Sequence, residues 1–264
     1  LDEEQDLPVN SGGGKGGLPP EEWNVVYRRD PIGVVGLISA WNYPLNVAFR
    51  KVCPALIAGN CAILKPSEIA GLSCMFIGQL AQDAGIPPGV FNIVTGDRDA
   101  GVALTLSPSV SMISFTGSSI TGSKVMEACA PKLSQVALEL GGKDPAYARH
   151  DCDLEKTVEN LVDGSFFNSG QSCCGIERIY VDEKIYDNFI ELFASKAYNY
   201  KLGNPLEKET NLGPVVKLSA ANFIHKQIDD AITKGAKKII DEKKFNFPRE
   251  HKNYMVPQVL TNVD

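Results

Sequence analysis

The chain has 264 residues, 44% of them hydrophobic and 22% charged, a globular composition with enough apolar side chains for one large core or two smaller ones. Its net charge of -6, without any Lys/Arg-rich block, argues against a nucleic-acid partner, and no apolar run reaches the roughly 18 residues that a membrane-spanning helix needs. Seven cysteines, an odd number, indicate a reducing compartment, which we expect to be the cytoplasm, and three histidines without metal-ligand spacing argue against a zinc site.

The first part of the chain alternates short apolar runs with amphipathic segments. Residues 1–30, which include the run SGGGKGG, are predicted to be a linker or a partial N-terminal segment. Beyond them the pattern predicts strands over residues 32–39, 61–64, 90–94, 112–115 and 136–140, and helices over residues 44–57, 72–84 and 121–130. Because short links join these elements, we expect βαβ units and a mostly parallel sheet with helices on both faces.

The alternation restarts after Gly142, where we place a domain boundary. The pattern there predicts helices over residues 153–168, 185–200 and 219–233, and strands over residues 178–181, 238–240 and 255–260. The sequence therefore predicts two α/β domains, at residues 31–141 and 142–264.

The segment FTGSSITGSK (115–124) is a candidate phosphate-binding turn, because it follows a predicted strand and leads into a predicted helix. Gly117 and Gly122 would let backbone N–H groups approach a phosphate at the positive end of that helix. The order Gly122-Ser123-Lys124 does not fit the Walker A motif, which disfavours a P-loop phosphotransferase, and the usual G-x-G-x-x-G fingerprint is absent as well. The alternative is a strand-to-helix turn that binds nothing.

The segment KPSE (65–68) follows the predicted strand CAIL, so Lys65 and Glu68 would lie at the carboxyl end of a strand. Ligands of open α/β sheets bind at that edge, where a lysine and a glutamate can both reach ribose hydroxyls. The alternative is an ordinary salt bridge on the surface.

The segment FFNSGQSCCGIER (166–178) places Cys173 and Cys174 side by side among small polar residues. A reactive thiol needs solvent access and help in forming the thiolate, and two adjacent side chains cannot both point into one pocket. We therefore expect at most one of the two to be reactive, and the alternative is a pair of buried, inert thiols.

A cysteine nucleophile also needs a base and a hydrogen-bond donor for the oxyanion. Glu139 ends an otherwise apolar strand, where desolvation would raise its pKa into the range of a useful general base. Asn42 follows another predicted strand, and its side-chain amide could hold an oxyanion. The alternatives are a strand-end salt bridge for Glu139 and a helix cap or turn for Asn42.

Five segments together, AWNYP, PALIAGNCAILKPSE, FTGSSITG, LELGGK and FFNSGQSC, resemble in order and spacing the aldehyde dehydrogenase superfamily, over residues 31 to 214. The resemblance implies a Rossmann-like parallel-sheet domain that binds NAD at residues 31–141. It also implies a second, α/β catalytic domain at residues 142–264. The activity that it implies is the NAD-dependent oxidation of an aldehyde to a carboxylic acid, through a cysteine thiohemiacetal and thioester.

The resemblance also implies roles for individual residues. Cys173, two residues after the Gly-Gln pair, would be the nucleophile, Asn42 and the backbone N–H of Cys173 would hold the oxyanion, and Glu139 would activate water. The implied cofactor contacts are Trp41, Lys65, Glu68, Gly117, Ser118, Gly122 and Leu140. Glu68 beside the ribose 2′-hydroxyl would repel a 2′-phosphate, which favours NAD over NADP.

The implied partners are a small-molecule aldehyde and, for a full-length parent, further copies of the same chain. Members of the superfamily continue beyond the pattern seen here, into a Glu-containing stretch that ends in Phe-Gly-Pro and into an oligomerisation strand. We therefore expect a chain incomplete at both ends. The alternative function is a catalytically impaired, truncated or crystallin-like structural homologue on the same scaffold.

Overall fold

The computed structural model describes residues 30–247 and 250–263. Within these ranges the chain forms two compact units, which divide between Glu139 and Leu140. The predicted linker at residues 1–30 lies, apart from its last residue, outside the described residues. Among the helices of the described ranges, none is both long enough and apolar enough to cross a bilayer.

The first unit is built on a five-stranded parallel sheet. Its strands are β1 (Val34–Ile38), β2 (Cys61–Lys65), β3 (Phe91–Ile93), β4 (Met112–Thr116) and β5 (Gln135–Glu139). They lie in the spatial order β3-β2-β1-β4-β5, and each pairing is parallel. Leu37 in β1 pairs with Leu64 of β2 on one side and with Ser114 of β4 on the other. The predicted Rossmann-like parallel sheet is therefore confirmed.

Helices connect these strands, namely α1 (Pro44–Ile57), α2 (Gly71–Asp83), α3 (Arg98–Leu106) and α4 (Ser119–Cys129). The first begins at Pro44, as predicted, because a proline at the start of a helix gives up no helical hydrogen bond. The fourth begins two residues before the predicted Thr121, because the Ser118 hydroxyl accepts a hydrogen bond from the Thr121 amide and caps the helix.

The sequence prediction missed α3, which has only nine residues. Gly101, Val102 and Thr105 lie inside it, and all three have low helix propensity. The signal that marks this helix is its cap, since the Asp97 carboxylate accepts a hydrogen bond from the Asp99 amide at 3.2 Å.

The core of the first unit lies between the sheet and helices α1 and α2. Its buried members are Val35, Leu37, Ala48, Val52, Ala55, Ala62, Leu64, Cys74 and Ile77. Leu37 and Leu64 are 1% and 0% exposed, as expected for central strands of a parallel sheet with both faces covered.

Asn60 fixes the start of β1 against the turn before β2. Its Oδ1 atom accepts hydrogen bonds from the amides of Ile32 at 2.7 Å and Gly33 at 3.2 Å. Its Nδ2 atom donates to the carbonyl oxygen of Ala55 at 3.2 Å. Because all of these partners are backbone groups, the buried amide sets how β1 lies beside α1 and β2.

The second unit contains β6 (Asp144–Ala148), β7 (Ile176–Val181), α5 (Leu154–Phe166), α6 (Tyr186–Ala197), α7 (Leu218–Thr233), β8 (Lys237–Lys238) and β9 (Leu260–Thr261). Strands β6 and β7 pair in parallel, and β8 pairs with β9 in antiparallel orientation. A core of Ala148, Val158, Val162, Phe189 and Phe193 joins β6 to helices α5 and α6.

Four points of the prediction for the second unit need correction. Strand β6 was missed, because it carries Pro145, which has no amide to donate. The strand predicted at residues 255–260 is reduced to Leu260–Thr261, and Val256 is instead buried in a side-chain core. The strand predicted at residues 238–240 is Lys237–Lys238, and the helix predicted to reach Asn168 ends at Phe166.

Candidate active site

The polar motifs of the first unit lie at the carboxyl edge of its sheet. Each candidate residue either ends a strand or follows one: Trp41 and Asn42 after β1, Lys65 and Glu68 at and after β2, Gly117 and Ser118 after β4, and Glu139 at the end of β5. Strands β1 and β4 are neighbours, and the strand order runs outward from them in opposite directions. Open α/β sheets bind their ligands at such a reversal, outside the carboxyl ends of the strands.

Asn42 lies in the turn between β1 and α1, and its side chain is half-buried. The residue at the N-cap position of this helix is Tyr43, whose side chain makes no capping hydrogen bond. Asn42 lies one residue before it, in the turn.

Lys65 is only 5% exposed, so it is not the surface residue that the salt-bridge alternative requires. Its Nζ atom donates a hydrogen bond to the carbonyl oxygen of Pro66 at 2.9 Å. Burial lowers the pKa of Lys65, whereas the carboxylates of Glu68 and Asp97 act in the opposite direction. Sequence reasoning missed Asp97 because it missed α3, the helix that this residue caps.

The turn after β4 leads directly into the first turn of α4. A Cβ atom built on Gly117 would lie 2.5 Å from the ring of Phe115, so only glycine fits this turn without displacing a buried aromatic side chain. Ser118 caps the helix, whose first amides have no acceptor of their own within the helix. Gly122 is not part of the turn, because it lies buried within α4 and its amide donates to the carbonyl oxygen of Ser118 at 2.9 Å.

Lys51 on α1 is a residue that sequence reasoning missed. Its Nζ atom donates to the Ser114 hydroxyl of β4 at 2.9 Å. Burial lowers the pKa of Lys51 to about 8, the nearby carboxylate of Glu139 raises it, and the Arg50 guanidinium lowers it. The sequence did indicate that Lys51 faces the sheet, since it shares a helix face with the buried residues Ala48 and Val52.

Glu139 itself is exposed at the end of β5. The burial that its apolar strand led us to expect for Glu139 is therefore wrong. Its backbone carbonyl accepts a hydrogen bond from the Gly117 amide at 3.1 Å, which joins β5 to the turn after β4. The next residue, Leu140, begins the second unit.

Cys173 and Cys174 are both exposed free thiols, so the alternative of buried thiols is wrong. They lie in the loop between α5 and β7, and Gln171 anchors this loop by accepting a hydrogen bond at Oε1 from the Val216 amide at 2.8 Å. The hydroxyl of Ser172 lies 3.3 Å from the sulfur of Cys174. The local hydrogen bonding thus distinguishes the two cysteines, since it engages the thiol of Cys174.

The same loop bends sharply where α5 ends. Asn168 and Ser169 both have positive φ, at 53° and 58°, a conformation that costs free energy for residues other than glycine. The Ser169 hydroxyl donates to the carbonyl oxygen of Gly213 at 2.9 Å, and the Gln171 side chain donates to the carbonyl oxygen of Asn168 at 3.1 Å. These contacts hold the bend, and with it the cysteine loop, against residues 213–216. No group of three or more His, Cys, Asp or Glu side chains in the described ranges could hold a metal ion.

Comparisons with known proteins agree with these motifs. The model of the aldehyde dehydrogenase family matches residues 11–264. Peroxisomal aminoaldehyde dehydrogenase 2 of Pisum sativum is 43% identical over 237 residues, which are 89% of this chain and 46% of the relative. Chloroplastic betaine aldehyde dehydrogenase of Beta vulgaris gives the same identity and the same coverage. The chain thus spans about half the length of the curated relatives it matches.

Solved structures give the same result. A mutant of aldehyde dehydrogenase C from Pseudomonas syringae, in complex with NAD+ and octanal, superposes with a TM-score of 0.84 at 37% identity. The match covers 89% of this chain and 49% of that one. An NADP-dependent enzyme from E. coli has a TM-score of 0.85 at 36% identity, over 89% of this chain and 48% of that chain.

Proposed function

The chain belongs to the aldehyde dehydrogenase family, and on this premise we propose that the protein oxidises an aldehyde to a carboxylic acid with NAD as hydride acceptor. One observation carries the proposal: separate sequence motifs supply an amide, a buried lysine, a helix N-terminus and a carboxylate to the same edge of one sheet. These are the groups that a dinucleotide and an acyl-transfer reaction require. Cys173 on the second unit supplies the nucleophile.

The residues at this edge fit a dinucleotide. The first turn of α4 offers backbone N–H groups to a pyrophosphate, and the glycine before it keeps that approach free of a side chain. Lys65 ends β2 and Glu68 follows it, and there the two side chains would hold the hydroxyls of the adenosine ribose. Bound NAD would supply the acceptor for the hydride that leaves the substrate carbon. The carboxylates of Glu68 and Asp97 near Lys65 oppose a 2′-phosphate, which supports NAD over NADP.

The acyl chemistry falls to three side chains. The Cys173 thiolate attacks the aldehyde carbon, and the Asn42 amide together with the Cys173 N–H donates hydrogen bonds to the oxyanion of the thiohemiacetal. Loss of hydride from that carbon leaves a thioester on Cys173. Glu139 then takes a proton from water as the water oxygen attacks the thioester, which releases the carboxylic acid and restores the Cys173 thiolate. Protonated Glu139 returns its proton to the solvent. The overall change consumes aldehyde, water and oxidised cofactor and yields acid, reduced cofactor and a proton.

The test is NADH production from a panel of simple aliphatic aldehydes, an aminoaldehyde and betaine aldehyde. Wild-type protein is compared with Cys173→Ala, which should abolish turnover, and with Cys174→Ala, which should keep most of it. Peptide mass mapping after iodoacetamide treatment should find the label preferentially on Cys173. Preferential labelling of Cys174 would overturn the assignment, and a wild-type chain that forms no NADH would favour the non-catalytic homologue.

Two broader expectations stay predictions. Assembly into a homo-oligomer is tested by the molar mass of the protein in solution. The cytoplasmic location is tested by imaging of the tagged protein, since relatives named above are peroxisomal or chloroplastic.

A further inference from the structure

The pairing of β6 with β7 brings the LELGGK segment against the cysteine loop. These strands run in parallel, with Asp144 opposite Ile176, so the residues that lead into them approach the sheet from the same side. Gly142 comes two residues before Asp144, and Cys173 comes three residues before Ile176. Strand pairing in the second unit therefore sets these two residues side by side.

The two backbones approach so closely that no side chain fits between them. A Cβ atom built on Gly142 would lie 2.1 Å from the carbonyl oxygen of Cys173 and 3.3 Å from its carbonyl carbon. Both atoms belong to the backbone and cannot rotate away as a side chain can. The preceding Gly141 differs sharply, because a Cβ atom there would have no atom within 4 Å.

Polar contacts fasten the two segments to each other beside this point. The Nε atom of Arg178 donates to the carbonyl oxygen of Lys143 at 3.1 Å. The Lys143 ammonium lies 3.3 Å from the Glu177 carboxylate. Gln171 anchors the loop before Cys173, so the loop is held by contacts on both sides of this cysteine.

We propose that Gly142 is a positioning residue for Cys173, a role that rests on the proposed function of this cysteine as nucleophile. Any side chain at Gly142 must push the Cys173 carbonyl away by more than about 1 Å to reach ordinary van der Waals separation. That movement shifts the thiol and also the Cys173 N–H that donates to the oxyanion. A displacement of this size costs about 100-fold in turnover.

The test compares Gly142→Ala with Gly141→Ala, two identical substitutions at adjacent glycines. Gly142→Ala should lower kcat for aldehyde oxidation about 100-fold while the KM for NAD changes by less than about threefold. It should also change the rate of iodoacetamide alkylation at Cys173 by at least about threefold, measured by peptide mass mapping as a function of pH. Gly141→Ala should match the wild type in both measurements, and thermal unfolding checks that both variants fold.

A second variant decides the matter if Gly142→Ala does not fold. Arg178→Lys keeps the charge of this exposed side chain but removes the Nε donor to Lys143, so the contact should loosen in a folded protein. The alkylation rate of Cys173 in Arg178→Lys should change by about twofold or more. If Gly142→Ala folds, both variants should change this rate in the same direction. The proposal is overturned if Gly142→Ala behaves like Gly141→Ala, or if Arg178→Lys leaves Cys173 unchanged. Alkylation does not require dehydrogenase activity, so a protein that oxidises no aldehyde would refute the proposed function and leave this test intact.

Discussion

Replacing Lys51 by methionine should change how the stability of the protein depends on pH. In the folded state the pKa of Lys51 is lowered to about 8, mainly by burial, against an ordinary value of 10.5. Between these two values the unfolded chain binds more protons at this residue than the folded chain does. The free energy of unfolding of the wild type should therefore rise with pH across this window, relative to that of Lys51→Met.

The expected size of this rise follows from the burial of the ammonium. If the whole lowering of the pKa appeared as stability, the free energy of unfolding would rise by about 3 kcal/mol, at roughly 1.4 kcal/mol for each pH unit. The side chain keeps partial contact with solvent and bonds the Ser114 hydroxyl, so we expect a rise of about 1 to 2 kcal/mol. Below pH 8 Lys51 is mostly charged and its burial penalty is fully present, so Lys51→Met should be the more stable protein there.

Urea unfolding at a series of pH values, from below 8 to above 10.5, measures this difference. Lys124→Met, at an exposed lysine of α4, controls for the loss of one positive charge. Each variant's stability-versus-pH profile is subtracted from that of the wild type, which removes the titration of the remaining groups. A flat difference between wild type and Lys51→Met, or one that falls with rising pH, would refute the reasoning about Lys51.

Three further predictions concern the base, the sheet and the cofactor. Glu139→Gln should keep a first burst of NADH in rapid mixing but lose about 10² to 10⁴ in steady turnover, whereas an equal loss of both would place Glu139 in thiol activation instead. Asn60→Ala should cost about 1 to 3 kcal/mol in urea unfolding, because it removes a buried side chain that makes three hydrogen bonds to the backbone. Asn92→Ala, which loses one exposed hydrogen bond, should cost less than about 0.5 kcal/mol. Glu68→Gln should lower the preference for NAD over NADP by about tenfold in kcat/KM, and an unchanged ratio would contradict the repulsion argument.

The arrangement of the first unit could be predicted from the sequence because its signals are local. Continuous apolar runs marked β1, β2 and β4, and Pro44 marked the start of α1. Parallel strands carry their carboxyl ends to one edge, so the motif that follows each strand was already expected there. The choice of Cys173 over Cys174 came from the resemblance to a family, since adjacent cysteines share one composition and one local pattern.

Signals failed where the structure depends on contacts between distant parts of the chain. Helix α3 and strand β6 carry residues with poor propensity, and tertiary packing decides their conformation. The exposure of Glu139 was equally hidden, because an apolar strand says nothing about what covers its last residue.

The sequence by itself determined the parallel sheet and which motif follows each strand, because hydrophobic period and glycine placement act within a few residues. Only the tertiary structure decided which side chains and backbones meet. Lys51 reaches Ser114 because α1 packs on the sheet, and Gly142 touches Cys173 because β6 pairs with β7. These partners are separated by 31 or more residues along the chain, and burial, charge and close approach at that separation arise only when the strands are paired.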